Sequence, residues 1–180
     1  MTKADRYAVI LAGSGGQGLV LSGVILGQAA ILDGKNVVQT VSYGIASRGG
    51  FSQAEVIIDR DEIIYQQVEQ PDIVLALTAE AMELYAGMAR TRVFYDSRLP
   101  AGADGPNLAG YPFTRLAAGL GQSGAANMIA LGVLASATGV VTAGSLVKVI
   151  GQRFSPPLAQ SNVMALHTGI ALGTGAAEGS

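Results

Sequence analysis

Cysteine is absent from the chain, and histidine occurs once, at His167. The first absence excludes disulfides, a thiolate nucleophile, Cys-ligated zinc and any iron–sulfur cluster held by this chain. The single histidine leaves no basis for a His-rich metal site or a His-pair mechanism. Charge is also scarce: 13% of the 180 residues are charged, against about 25% in an ordinary soluble domain, while 49% are hydrophobic. Eleven basic and 13 acidic side chains give a net charge of −2, with no basic footprint for nucleic acid and no polybasic membrane patch. Long apolar runs are missing as well. A spanning helix needs about 20 apolar residues, and Met128 to Val141 is shorter and carries Gly, Ser and Thr. The N-terminus, MTKADRYAVI, lacks the apolar core and cleavage site of a secretory signal, so the expected location is cytoplasmic, with no membrane and no nucleic-acid partner.

What charge there is lies unevenly. No charged residue falls between Arg6 and Asp33, and Leu116 to Val147 is a second uncharged run. Some surface there must be covered, and the expectation is that Leu116 to Val147 is partly a subunit interface.

Tyr7 to Ala12 reads as a short, fully buried strand stopped by Gly13. Gly16 to Asp33 has helix length, with Gly34 at its end, and Asn36 to Val41 is a second β-rich run. Together they form a βαβ unit, which implies a parallel sheet. Phe51 to Ile58 alternates like an antiparallel strand, and Asp59-Arg60-Asp61-Glu62 reads as a charged turn to Ile63-Ile64-Tyr65, making a hairpin excursion at the sheet edge. Asp72 to Leu77 and Arg92 to Asp96 are further strands around a helix from Ala79 to Met88, and Leu99 to Gly110 is a loop. Thr114–Leu120, Ala125–Ala137, Ala143–Gln152 and Leu158–Leu172 are helical by composition. The fold class is therefore α/β: a Rossmann-like, doubly wound, mostly parallel sheet with a β-hairpin excursion and a helical C-terminal part. Residues 1–180 show no linker and are read as one domain.

Gly13-Ser14-Gly15-Gly16-Gln17-Gly18 follows a strand and opens a helix. In such a loop Gly13 allows the tight turn, Gly15 admits an anion to the backbone, and Gly18 lets helix and sheet approach. Free N–H groups at the helix start favour phosphate or carboxylate; the alternative is a loop tight only for packing. A dinucleotide site also requires an acid at the end of the second strand. That strand ends Val41-Ser42-Tyr43-Gly44, and Asp33 comes too early, so NAD binding is disfavoured. Tyr43 and the run Ser47-Arg48-Gly49-Gly50 belong to the loop expected on the same carboxyl edge, where Arg48 would pair a carboxylate or phosphate of a ligand, or an acid of a protein neighbour. His167, amid apolar residues, reads as a hydrogen-bonded structural histidine, and Asn127 as a helix cap. Gly23, Gly27, Gly132 and Ser136 have the spacing of close helix packing. No nucleophile elbow, P-loop lysine or paired-carboxylate motif appears, so the chain offers no catalytic residue and no metal ligands of its own.

The loop Gly13 to Gly18, Tyr43-Gly44, Ser47-Arg48-Gly49-Gly50, Gln53 to Ile57 and Asn127 to Gly132 stand in one order. In that order the chain resembles the gamma subunit of 2-oxoacid:ferredoxin oxidoreductases over residues 6 to 172. Val24 to Ala30, Asp33 to Thr40 and Ser42-Tyr43-Gly44 are most similar to the 2-oxoglutarate (2-oxoglutarate synthase) branch. The chain departs from the family pattern at Ile45-Ala46-Ser47 and at Gly121 to Ala126. The resemblance implies a complex that converts a 2-oxoacid and coenzyme A (CoA) to acyl-CoA and CO2, passing two electrons to ferredoxin, or runs in the carboxylating direction. It implies thiamine diphosphate, Mg²⁺ and 4Fe-4S clusters in partner subunits: alpha, beta and a ferredoxin-like delta subunit. Gly13, Ser14, Gly15, Gly16, Gln17, Gly18, Tyr43, Arg48, Gly49 and Gly50 would then form the CoA side of the active centre. Pyruvate, branched-chain 2-oxoacid and indolepyruvate enzymes share the domain and stay open as alternatives, as does a purely structural assembly subunit. Alone, the chain is expected to be inactive and to aggregate without its partners.

Overall fold

The computed structural model describes residues 6–43, 50–100 and 105–177. Arg48 and Gly49 lie outside these residues. In chain order the elements are β1 (Tyr7–Ser14), α1 (Leu19–Leu32), β2 (Asn36–Tyr43), β3 (Phe51–Asp59), β4 (Ile73–Ala76), α2 (Ala79–Tyr85), β5 (Arg92–Asp96) and β6 (Leu108–Tyr111). Then follow α3 (Phe113–Gly119), a 3-10 turn (Ser123–Ala125), α4 (Ala126–Thr138), α5 (Ala143–Arg153) and α6 (Pro156–Ala177). The strands form one six-stranded sheet in the order β2-β3-β1-β4-β5-β6. β1, β4, β5 and β6 pair in parallel, whereas β3 is antiparallel to both β1 and β2. The sheet is thus mostly parallel, as expected.

The first βαβ unit is split, however. β1 and β2 run the same way, but β3 lies between them, with Tyr7 opposite Ile58 and Asn36 opposite Asp59. The hairpin is formed by β2 and β3; Ile63 to Tyr65 is not a strand. The physical reason is burial. Both faces of β3 are covered, with Ala54, Val56 and Ile58 on one and Ile57 on the other, as an interior strand requires. In the 63–65 segment Ile63 tucks in while Ile64 stays 87% exposed, so no second strand has an apolar face to bury there. The edge strand is β2, whose outer half, Thr40 to Tyr43, is exposed. The stretch read as a loop up to Gly110 also hides a strand, β6. Its four residues pair with β5 through Val93–Leu108 to Asp96–Tyr111.

The two faces of the sheet carry unequal cores. Val9, Leu11, Val56, Ile58, Leu75 and Phe94 pack beneath α1 and α3 to α6, while Ile10, Ala12, Val74, Ala76 and Val93 face α2. α4 is the centre of the larger core: Asn127 through Ala135 are all buried. A helix that is apolar all round belongs inside a protein, so the uncharged run from Leu116 is accounted for first by the chain's own core. α6 crosses α4 backbone to backbone. A Cβ on Gly169 would strike the Ile129 carbonyl, and one on Gly132 the Leu166 carbonyl. Gly23 and Gly27 serve a different neighbour: a Cβ there would lie 2.8 Å from Gln39 Nε2 and 3.1 Å from Val37 Cγ1, so α1 presses on the sheet. Among the described residues no helix is long and apolar enough to cross a membrane.

Candidate functional site at the carboxyl edge of the sheet

Parallel strands deliver the ends of β1, β4, β5 and β6 to one edge, where ligands of open α/β sheets bind. A cavity of about 220 Å³ opens there, lined by Gly16 and Gln17 after β1, Leu77 after β4, Asp96 and Arg98 at the end of β5, Thr114 on α3, and Ser123, Gly124 and Ala126 before α4. Two larger hollows, of about 330 and 450 Å³, lie elsewhere: one between α1 and α5, the other at the opposite sheet edge. In the latter, Arg6 and Arg90 share the lining with Glu69 and Asp72, so opposite charges are already mixed within it.

The glycine loop is held from three sides. Gln17 Oε1 accepts from the Ser14 N–H at 2.8 Å, and Gln17 Nε2 donates to the Leu77 carbonyl at 3.4 Å. The Gly15 N–H donates to the Gly50 carbonyl at 2.8 Å. The Gly18 carbonyl accepts from the Ser22 N–H (2.9 Å), the Ser22 hydroxyl (3.1 Å) and Asn127 Nδ2 (3.2 Å). Two of the N–H groups expected to greet an anion, those of Ser14 and Gly15, are therefore used within the chain. The open position is Gly16: its φ of +89° suits glycine, and a Cβ there would meet nothing within 4 Å. α1 starts at Gly18 with no side-chain cap, which leaves its first-turn N–H groups to a ligand or solvent.

Gly18 has a different task from the one expected. Its Cβ would collide with Asn127 Nδ2, so glycine is required to admit an amide from α4, not to bring α1 onto the sheet. Asn127 accordingly is not a cap. It is 5% exposed, lies in the first turn of α4 beyond the N-cap Ala125, and also donates to Ser22 Oγ at 3.2 Å.

Asp96 and Arg98 were not singled out by the sequence reading. Asp96 is 1% exposed. Its Oδ1 accepts from the Arg98 N–H (3.0 Å) and Nε (3.2 Å), and its Oδ2 from the Thr114 N–H (2.9 Å) and hydroxyl (2.5 Å). Burial alone would raise its pKa. The Thr114 hydroxyl, the N–H groups of Arg98 and Thr114, and the Arg98 charge outweigh that and hold it below the ordinary carboxylate value. The signal available in the sequence was an acid ending a parallel strand, which lands at the ligand edge, followed two residues later by a base.

Of the other residues singled out, Tyr43 stands 72% exposed at the end of β2 and does not line the cavity. Gly50 meets the glycine loop through its carbonyl. His167 is exposed on α6 and has no hydrogen-bond partner among the described residues, so it is not the hydrogen-bonded structural histidine expected. Dinucleotide binding loses further ground. The inserted β3 moves the end of β2 one strand, about 4.8 Å, further from the glycine loop.

Residues 8–172 match the Pyruvate ferredoxin/flavodoxin oxidoreductase family. The chain belongs to this family. It is 36% identical over 176 residues to the 2-oxoglutarate synthase subunit KorC of Methanothermobacter marburgensis, covering 91% of this chain and 95% of that protein. Among solved structures, the keto/oxoacid ferredoxin oxidoreductase gamma subunit of Geobacter sulfurreducens superposes with a TM-score of 0.78 at 33% identity, covering 92% of this chain and 95% of that one. The 2-oxoglutarate:ferredoxin oxidoreductase of Magnetococcus marinus, solved with 2-oxoglutarate, coenzyme A and succinyl-CoA, shares the fold. Its TM-score is 0.84 at 22% identity, over 96% of this chain and 32% of that one. This family member carries no cysteine, and among its described residues no three His, Asp or Glu side chains gather as for a metal ion.

Proposed function

We propose that the chain is the gamma subunit of a 2-oxoglutarate:ferredoxin oxidoreductase and that its carboxyl-edge cavity forms part of the CoA side of that enzyme's active centre. The complex would convert 2-oxoglutarate, CoA and oxidised ferredoxin to succinyl-CoA, CO2 and reduced ferredoxin, or run the reaction in reverse. Kinship with 2-oxoglutarate synthase subunits supports the substrate. Thiamine diphosphate and Mg²⁺ then belong to the alpha and beta partner chains, and the thiolate-held 4Fe-4S clusters to cysteine-bearing partners, a ferredoxin-like one among them, since this chain has no thiol to offer. What remains for the gamma subunit is orientation: a thioester forms only when the CoA thiol is held within reach of the reacting carbon.

The observation that carries this reading is Gly16, a bare stretch of backbone facing the cavity from a loop already braced by Gln17 and Asn127. Isothermal titration of CoA into the assembled complex tests it. Gly16→Val adds a branched side chain in the cavity at a φ of +89° and should weaken CoA binding by tenfold or more, on the order of 1.4 kcal/mol. Equal affinity in both complexes refutes the CoA reading. That result would favour the structural alternative, for which the Ser14 and Gly15 N–H groups bonded within the chain already speak. Turnover of the complex with 2-oxoglutarate, pyruvate, a branched-chain 2-oxoacid and indolepyruvate decides the substrate.

A further inference from the structure

Among the described residues, Arg98 is the one cationic side chain lining the carboxyl-edge cavity. Its Nε is tied to Asp96 Oδ1 at 3.2 Å, while its side chain remains 59% exposed. The two terminal nitrogens of the guanidinium have no partner among the described residues. Asp96 is saturated by four donors and sits behind the arginine, so it fixes the plane of the fork without competing for what the fork can bind. Across the cavity the backbone is bare at Gly16 and at Gly124, each with open space where a Cβ would stand, and Ser123 lines the cavity beside Gly124.

We propose that Arg98, held in place by Asp96, binds a phosphate group of CoA in this cavity. The inference rests on the CoA reading above and deepens it. Among the described residues the lining offers donors and a cation, its single carboxylate is already filled, and about 220 Å³ is ample for a phosphate group. A planar carboxylate is bound edge-on by one fork. Here the donors stand on three separate elements, after β1, after β5 and before α4, and so surround a ligand from several directions, which suits a tetrahedral oxyanion. Asp96 is a positioning residue in this arrangement, and Thr114 positions Asp96.

The test uses the assembled complex with Arg98→Ala, Arg98→Gln and Arg98→Lys, and compares CoA with 3′-dephospho-CoA. Arg98→Ala and Arg98→Gln should raise the KM for CoA about tenfold, leave kcat at saturating CoA and the KM for 2-oxoglutarate unchanged, and be partly rescued by Arg98→Lys. If the effect vanishes with 3′-dephospho-CoA, the cavity holds the ribose phosphate; if it persists, it holds the pyrophosphate. An unchanged KM for CoA, or a rise confined to 2-oxoglutarate, overturns the proposal. Gly16→Val measured in parallel separates the two levels. Weakened CoA binding in that variant with silent Arg98 variants leaves the CoA reading standing and removes Arg98; silence in all of them removes both. Since Arg98 is exposed, the variant complexes should co-elute as the wild type does, and Arg98→Gln keeps the measurement meaningful if the alanine variant assembles poorly.

Discussion

Asp33 and Asp96 make the same pair of bonds to a threonine at two distant places, with different consequences. Each ends an element, α1 or β5, and each accepts the N–H and the hydroxyl of a threonine that starts a later helix. Asp33 takes Thr142 at 2.7 and 2.8 Å, plus the Ser145 hydroxyl, at the start of α5. Asp96 takes Thr114 at 2.9 and 2.5 Å at the start of α3. Both carboxyls are pushed up by burial and pulled further down by these donors, so both titrate below the ordinary carboxylate value. Yet Asp33 is half-buried beside hydroxyls, and Asp96 is fully buried beside an arginine at a cavity. The difference teaches that a capping carboxylate becomes part of a site only when its spare lone pairs hold a cation facing open space.

The sharpest way to break the comparison is Asp96→Asn. An amide presents one NH2, and both sides of Asp96 are met by N–H groups that cannot accept: those of Arg98 on one side and that of Thr114 on the other. Two donors are then forced together in a buried place, at about 2–4 kcal/mol, visible as a lower melting temperature of the chain. The released guanidinium should also raise the KM for CoA in the complex. A variant as stable as wild type with an unchanged KM would erase the distinction between the two acids.

Asp33→Asn should cost less, about 1 kcal/mol, with no change in any KM. Here the amide can donate to the Thr142 and Ser145 hydroxyls, which rotate to accept it, while its oxygen keeps the Thr142 N–H. The pH dependence carries a sign. A carboxyl whose pKa is lower in the folded chain stabilises it fully above the unfolded value of about 3.9, and that contribution is lost as pH falls through the folded pKa. The melting-temperature gap between wild type and Asp33→Asn should therefore be widest near neutrality and shrink as pH drops below about 4. A gap that grows on acidification would mean the carboxylate opposes the fold. Smallest of all, Ser145→Ala removes one hydroxyl from Asp33 and should cost about 0.5 kcal/mol; a loss as large as that of Asp33→Asn would mean that this hydroxyl alone carries the stabilisation, with nothing left to the two Thr142 bonds.

Much of this architecture is legible in the sequence where local chemistry decides. Gly34 after α1 and Ser155-Pro156-Pro157, where α6 begins, mark helix boundaries, and the apolar run of β1 announces a strand buried on both faces. What escapes is set by residues far apart. β3 looks like an edge strand by alternation, and only its pairing with both β1 and β2 makes it interior. β6 is four residues containing a glycine, and it becomes a strand because β5 offers its free edge. In the candidate site the glycine loop was readable by pattern. The roles of Gln17 and Asn127 as its braces were not, because Leu77 and Gly18 are their partners across the fold. Within the uncharged run Leu116 to Val147, expected to be partly a subunit interface, the α4 residues Asn127 to Ala135 are buried in this chain's own core, which composition alone does not distinguish from a face awaiting a partner.

The bond from Asn127 to Gly18 spans 109 residues of sequence. During synthesis at roughly 5–20 residues per second, the glycine loop leaves the ribosome on the order of ten seconds before the amide that will hold it. β1 waits too, since its partners on either side are β3 and β4. The cavity is thus incomplete until the chain has been made as far as Asn127, at the start of α4. A partner subunit that recognises its finished rim would dock only onto a chain made at least as far as α4, so the order of translation would itself act as a quality check on assembly.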